Sequence, residues 1–209
     1  MNKDEYFLFL NEQEKNEKII GIENYAIKNR VPIIQKPGLD FLTAIIKISK
    51  CKKILEIGTA IGYSAINCAL INKDIYVTTI ERDELMLKEA KKNIELFNLN
   101  EKITIIYNDA LEVNELELGN DYDLIFIDAA KSQYQKFFEK YAKCLKKGGL
   151  IVSDNLIFHD LIFKETIANR NTMQLVNKIK KYNLWLKSNT LFNTKFFNIG
   201  DGIALSIKK

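Results

Sequence analysis

The segments Leu124-Ile-Phe-Ile-Asp128 and Ile151-Val-Ser-Asp154-Asn155 each run a short apolar stretch straight into an acid. If both stretches are strands of one parallel sheet, Asp128, Asp154 and Asn155 meet at its carboxyl edge, where open α/β sheets bind ligands. Three oxygen donors with no Cys or His among them suit a hard divalent cation, Mg²⁺ first, with water or substrate oxygens completing the octahedron. Either acid alone reads as an ordinary cap or turn residue; the three together at one edge carry the argument. Lys131 follows Asp128 by three residues, one loop turn from the proposed cation. An amine beside a dication gives up its proton more readily and can act as a general base. Most of the chain's lysines, by contrast, are simply solvated. Tyr134 either lines the same pocket or packs on the sheet. His159 is the one histidine and sits in Leu156-Ile-Phe-His-Asp160, a loop placed to touch substrate. Without a second histidine there is no argument for zinc.

A second set of residues suits a nucleoside. The run Glu56-Ile-Gly-Thr-Ala-Ile-Gly-Tyr-Ser64 leaves an apolar stretch and enters a helical one. Glycines there let a ligand approach the backbone, and the helix start offers free N–H groups. Glu81 closes the next apolar stretch, Thr78-Thr-Ile-Glu81, about 20 residues beyond the glycine turn, where an acid can hold both hydroxyls of a ribose. Its competing role is that of an acid at a helix N-terminus. Asn108-Asp109-Ala110 follows a third apolar stretch and could hold an adenine amino group; a helix cap by Asp109 fits equally well.

These residues need a scaffold that brings several strand ends together. Candidate strands are Ile54–Ile57, Ile75–Ile80, Ile103–Tyr107, Leu124–Ile127 and Leu150–Val152, with amphipathic helices between them. Asp83–Phe97 shows an apolar face at Leu85, Leu87, Ala90, Ile94 and Phe97, and Gln133–Leu145 stops at Gly148-Gly149. Such alternation predicts right-handed βαβ units and a doubly wound α/β fold with a parallel sheet covered on both faces. Upstream, Asp4–Asn29 reads as a helix, and Pro37 suits the first turn of the next. Beyond a helix near Thr166–Tyr182, the strands Leu184–Leu191 and Ile203–Ile207 have no helix between them and should pair antiparallel.

Composition narrows the class. The 209 residues are 47% hydrophobic and 28% charged, which fits one folded domain and excludes a disordered chain. No run approaches the roughly 18 apolar residues of a membrane span, and no apolar leader follows Met1, so no membrane association is expected. Cys51, Cys68 and Cys144 are scattered and odd in number, which suits a reducing cytoplasm and excludes a disulfide scaffold. The net charge of +4 rests on 31 basic residues, of which only Arg30, Arg82 and Arg170 are arginine. It permits a nucleic-acid partner without establishing one.

The motifs Glu56–Ser64, Ile125-Phe-Ile-Asp-Ala-Ala-Lys131 and Gly149-Leu-Ile-Val-Ser-Asp-Asn155 resemble those of the cation-dependent O-methyltransferases, the family of catechol and caffeoyl-coenzyme A O-methyltransferases. The resemblance covers nearly the whole chain. It implies a Rossmann-like seven-stranded sheet whose last strand is antiparallel, a helical lid over residues 1–50, a catalytic core over 51–209, and a homodimer. It also implies S-adenosylmethionine and Mg²⁺ as cofactors. Glu56, Gly58, Tyr63 and Ser64 then fall to the methionine part of the donor, Glu81 to its ribose, and Asp109 and Ala110 to its adenine. Ile33 becomes a backbone contact, and Asp128 both borders the donor and joins Asp154 and Asn155 as a metal ligand. Lys131 becomes the base. The chain has Lys36-Pro37-Gly38 where the family often has an acid before the glycine, which unsettles the lid's substrate contacts. Within the family the chain is most similar to the bacterial branch that methylates 5-hydroxyuridine at the tRNA wobble position. That implies a tRNA anticodon stem-loop as partner, with Lys28, Arg30 and Lys36 on its phosphates and Tyr134 and His159 near the acceptor. A small catechol remains the alternative acceptor, and a non-catalytic nucleotide-binding or NAD-dependent protein is the alternative of another class.

Overall fold

The computed structural model describes residues 3–11 and 16–209. One seven-stranded sheet runs through it in the order β3-β2-β1-β4-β5-β7-β6. The strands are β1 (Lys53–Ile57), β2 (Tyr76–Glu81), β3 (Ile103–Tyr107), β4 (Tyr122–Ile127), β5 (Leu145–Ser153), β6 (Phe192–Phe197) and β7 (Ile203–Lys208). The first five are parallel, and β7 runs antiparallel between β5 and β6. The doubly wound α/β fold with its antiparallel last strand is therefore present.

Helices α1 (Lys3–Leu10), α2 (Glu17–Asn29) and α3 (Lys36–Ile48) precede the sheet. Helices α4 (Tyr63–Ala69), α5 (Glu84–Leu96), α6 (Tyr134–Tyr141) and α7 (Arg170–Ser188) connect or flank its strands. Two apolar layers cover the faces. Ile22, Leu42 and Ile46 of α2 and α3 join Ile66 of α4 on one side of Ile54 and Phe126. On the other, Phe138, Tyr141, Tyr182 and Leu186 pack against Leu55 and Ile125. The alternation of Ile54 and Leu55, or Ile125 and Phe126, between the layers is the two-residue period of a strand buried on both faces.

Several expected boundaries move. The continuous helix over Asp4–Asn29 is α1 and α2, with residues 12–15 of that span outside the described residues. Asn16 caps α2 by accepting from the Lys18 N–H. The strand expected at Leu184–Leu191 lies mostly in α7, and β6 begins only at Phe192. The reason is helical spacing: Ile179, Tyr182 and Leu186 are buried three and four residues apart, while Leu184 faces solvent. Gly148-Gly149 does not stop a helix. It lies within β5, where the register against β4 jumps from Tyr122–Leu145 to Leu124–Leu150. A Cβ on Gly149 would lie 2.7 Å from Leu145, so the loop-out requires glycine.

The topology also places the crevice. β1 and β4 are neighbours, yet the chain leaves β1 towards β2 and β3 and returns to β4 on the other side. Ligands of doubly wound sheets bind at the carboxyl end of such a reversal.

Candidate active site

Four residues that follow strands at this edge are fixed in one way. The N–H of Gly58 donates to Ile80 O, that of Asn108 to Glu81 O, that of Asp128 to Ile57 O, and that of Asp154 to Ile127 O, at 3.0–3.2 Å. Each strand thus makes one more ladder bond after its regular end, and the first site residue inherits the rigidity of the sheet.

A crevice of about 330 Å³ opens between β1 and β4. Its lining includes Ile33, Gly58, Tyr63, Ser64, Glu81, Asp109, Ala110, Asp128 and Lys131. Gly58 stands at φ +102°, and a Cβ there would meet the Asp128 carbonyl oxygen at 2.4 Å. Only glycine lets the β1 and β4 ends come this close. Tyr63 donates its hydroxyl to Glu23 Oε1 at 2.7 Å and so ties α4 to α2.

Glu81 grips the turn around it. Its Oε2 accepts from the Ala60 N–H at 2.8 Å, and its Oε1 from Arg82 N–H and Asp83 N–H at 2.9 and 2.8 Å. A carboxylate has about four lone-pair sites, so further acceptance from ligand hydroxyls remains open. Asp109 accepts from Leu111 N–H at 2.8 Å and from Arg82 Nη1 at 2.9 Å. These bonds hold its carboxyl below the usual range. Asp109 therefore caps the local turn and lines the crevice. Arg82 was not foreseen. Its signal was rarity, as one of only three arginines.

Glu56 lies outside the crevice lining. It is 2% exposed, and its two oxygens accept from Ser64 Oγ and Thr79 Oγ1, each at 2.5 Å. Burial, against the pull of these two bonds, pushes its carboxyl up to about 7. Glu56 thereby anchors Ser64, which itself lines the crevice.

The acceptor side is built differently. Asn155 Nδ2 donates to Asp128 Oδ1 at 2.9 Å, and the Asn155 N–H donates to Asp154 Oδ1 at 2.7 Å. The three proposed oxygen ligands are thus drawn into one cluster. Asp154 is buried and pushed up to about 7, first by burial and then by the Asp128 charge. Burial also raises Asp128, against the pull of Lys131 and the Asn155 bond. Among the described residues no three Asp, Glu, His or Cys side chains form a metal-holding group, so an amide completes this set. A buried and a half-buried carboxylate that raise each other's cost of ionisation, beside a third oxygen donor, fit a hard dication.

Asp201, between β6 and β7, is the residue the motifs hid. It is 4% exposed and its Oδ1 accepts from His159 N–H at 2.6 Å. Its backbone carbonyl accepts from Ile157 N–H at 2.9 Å, and that of Gly202 from Leu156 N–H at 3.0 Å. The held loop needs this support: Phe158, His159 and Asp160 are three consecutive residues at φ +46 to +59°, as is Asn155 at +63°. Left-handed backbone costs a non-glycine residue about 1–2 kcal/mol.

The proposed substrate residues scatter. Tyr134 is buried, its hydroxyl has no hydrogen-bond partner, and it packs edge-on against Tyr182. It both packs on the sheet and stands beside Lys131, whose ammonium lies 6.0 Å from the Phe158 ring centre. The His159 side chain is 70% exposed. Lys28 and Arg30 are exposed at the end of α2, outside the crevice lining. Lys36 pairs with Asp40 and lines a separate hollow against α1.

Known proteins agree with this geometry. A Staphylococcus aureus protein provisionally named a caffeoyl-CoA O-methyltransferase has the same structure, with a TM-score of 0.92 and 42% identity over 100% of both chains. The catechol O-methyltransferase of Niastella koreensis is 32% identical over 178 residues, 81% of this chain and 79% of its own. The caffeoyl-CoA O-methyltransferase of Populus kitakamiensis is 31% identical over 172 residues, 79% and 73% of the two chains. The O-methyltransferase family profile matches residues 14–209. With strand-end acids, glycine turn and closing antiparallel strand in place, the chain belongs to the O-methyltransferase family.

Proposed function

We propose that the protein uses S-adenosylmethionine and Mg²⁺ to methylate the hydroxyl of 5-hydroxyuridine at the tRNA wobble position, giving 5-methoxyuridine. The observation that carries the chemistry is the adjacency of two unlike halves at one sheet edge. A crevice with Glu81 and Asp109 suits a nucleoside, and it ends at Asp128 and Lys131 beside Asp154 and Asn155. Family membership supports O-methyl transfer, and the relatives' names support a vicinal oxygen pair as acceptor. A 5-hydroxyuracil presents its hydroxyl beside a ring carbonyl and meets that requirement as a catechol does.

S-adenosylmethionine supplies a methyl on a sulfonium, and Mg²⁺ supplies a Lewis acid that lowers the acceptor hydroxyl's pKa. The chain does the rest. Glu81 orients the ribose through its carboxylate oxygens, and Asp109 and Ala110 flank the base. Gly58 and Ser64 border the amino-acid end, with Glu56 holding Ser64 in place. Asp128, Asp154 and Asn155 present the oxygen donors. The Lys131 amine would take the proton of the acceptor hydroxyl. Fixing both reactants at one rigid edge supplies much of the acceleration.

The reading includes α1–α3 as a lid and a homodimer in the cytoplasm. Exposed Tyr6, Phe7 and Phe9 of α1 support the dimer, and three free, buried cysteines support a reducing compartment. No helix among the described residues is long and apolar enough to cross a membrane. The relatives' names favour one second reading, a small catechol as acceptor.

The deciding experiment incubates the protein with S-adenosylmethionine, Mg²⁺ and tRNA carrying 5-hydroxyuridine, then weighs the digested nucleosides. A gain of one methyl on that base, abolished by chelator and restored by Mg²⁺, is expected. Brisk methylation of a free catechol with none on the tRNA would replace the first reading by the second.

A further inference from the structure

Beyond the crevice, the surface next to Lys131 forms a second hollow of about 470 Å³ between α6 and α7. Its rim carries Lys136, Lys178 and Lys181 beside the proposed base Lys131, and one acid, Glu139. That acid already accepts from Gln135 Nε2 at 2.9 Å. None of the four lysines makes an ion pair among the described residues, whereas Lys36, Lys53, Lys88, Lys140, Lys143 and Lys146 elsewhere do. An uncompensated positive groove of this kind repels itself and is relieved by anions. It also has a fixed relation to the chemistry, because Lys131 and Gln133 line both hollows. The groove is firm, since Tyr134 and Tyr182 in its lining are buried and pack edge-on. Helix α7 holds it against the Lys131–Gln133 turn.

We propose that this groove binds the phosphodiester backbone of the acceptor RNA, with Lys136, Lys178 and Lys181 on consecutive phosphates and the target base turned in towards Lys131. The proposal rests on the tRNA reading and moves its phosphate contacts from the N-terminal helices to the α6–α7 side. Here the lysines make no ion pair among the described residues, a single acid stands among them, and the groove is continuous with the proposed base. Such contacts fix register and supply salt-dependent affinity without reading sequence.

The test measures binding of a fluorescent anticodon stem-loop by anisotropy across a salt series. Lys178→Glu/Lys181→Glu is compared with wild type and with Lys73→Glu/Lys91→Glu, two exposed lysines on the far side. Thermal unfolding verifies that both variants fold, and Lys178→Ala/Lys181→Ala serves if the charge reversal does not. In the groove variant the dissociation constant should rise at least about tenfold, and the log–log salt slope should flatten by about 1 per lysine. The far-side pair should bind as wild type. Unchanged affinity in the groove variant, no RNA binding by wild type, or tighter binding of free coenzyme A than of RNA would each overturn the proposal. Methylation is scored separately. RNA held by the groove but never methylated defeats the substrate reading and leaves the groove standing. RNA methylated with unchanged affinity in the groove variant does the reverse.

Discussion

The two halves of the site differ in how their acids are kept. On the donor half, Glu81 and Asp109 are surrounded by donors: three backbone N–H groups on one, a backbone N–H and a guanidinium on the other. On the acceptor half, half-buried Asp128 stands beside buried Asp154, and among the described residues Asp201 Oδ2 and the Tyr134 hydroxyl have no hydrogen-bond partner. The donor half is organised before any ligand arrives. The acceptor half holds carboxylates that its own fold satisfies less fully, beside backbone that its own sequence does not prefer. The lesson is that occupancy should matter little to the shape of the first half and much to the stability of the second.

Three substitutions probe that contrast. The largest effect is expected for Lys131→Ala. Turnover should fall by about 10²–10⁴-fold, the usual worth of a general base, while donor affinity measured by calorimetry stays as in wild type. A loss confined to donor affinity would join Lys131 to the donor half and remove the division. Next is Glu81→Ala, expected to weaken S-adenosylmethionine binding by at least about tenfold, since charge-assisted bonds contribute about 1.5–3 kcal/mol. Because Glu81 also grips Ala60, Arg82 and Asp83, unfolding should be followed in parallel; unchanged affinity in a folded variant would refute the ribose assignment.

The smallest effect concerns Glu56, the one raised acid behind the donor half. Its folded value of about 7 exceeds an ordinary glutamate's, so the folded state holds the proton more tightly. Stability from that proton is full below the unfolded value, near pH 4, and is lost as pH rises to about 7. Glu56→Gln should therefore gain on wild type between pH 5 and pH 8, by about 1–3 kcal/mol. Urea unfolding at the two pH values measures it. An equal difference at both would mean that Glu56 is ionised throughout.

Much of this was legible beforehand because the sheet is buried on both faces. Runs such as Leu124–Ile127 then carry no polar residue, and the acid that follows stands out. The same logic failed at Leu184–Leu191, where a helix with its apolar residues three and four apart also shows closely spaced leucines. Asp201 was hidden because Gly-Asp-Gly reads as a turn, and only the tertiary fold reveals that the loop carrying His159 leans on it. The bonds of Glu56 to Ser64 and Thr79 were not legible, since a strand position gives a side chain's face but not what stands before it.

The glycine at position 58 has a consequence beyond letting two loops touch. With the Asp128 carbonyl filling the space its side chain would need, the turn that borders the crevice and the residue that begins the proposed cation cluster share one contact surface. A displacement of either is transmitted to the other. Whatever factor the bound nucleoside then applies to cation affinity, the cation must apply to nucleoside affinity, because linkage is reciprocal. The order in which the two are loaded can therefore vary with their concentrations, while the free energy of the doubly loaded state cannot.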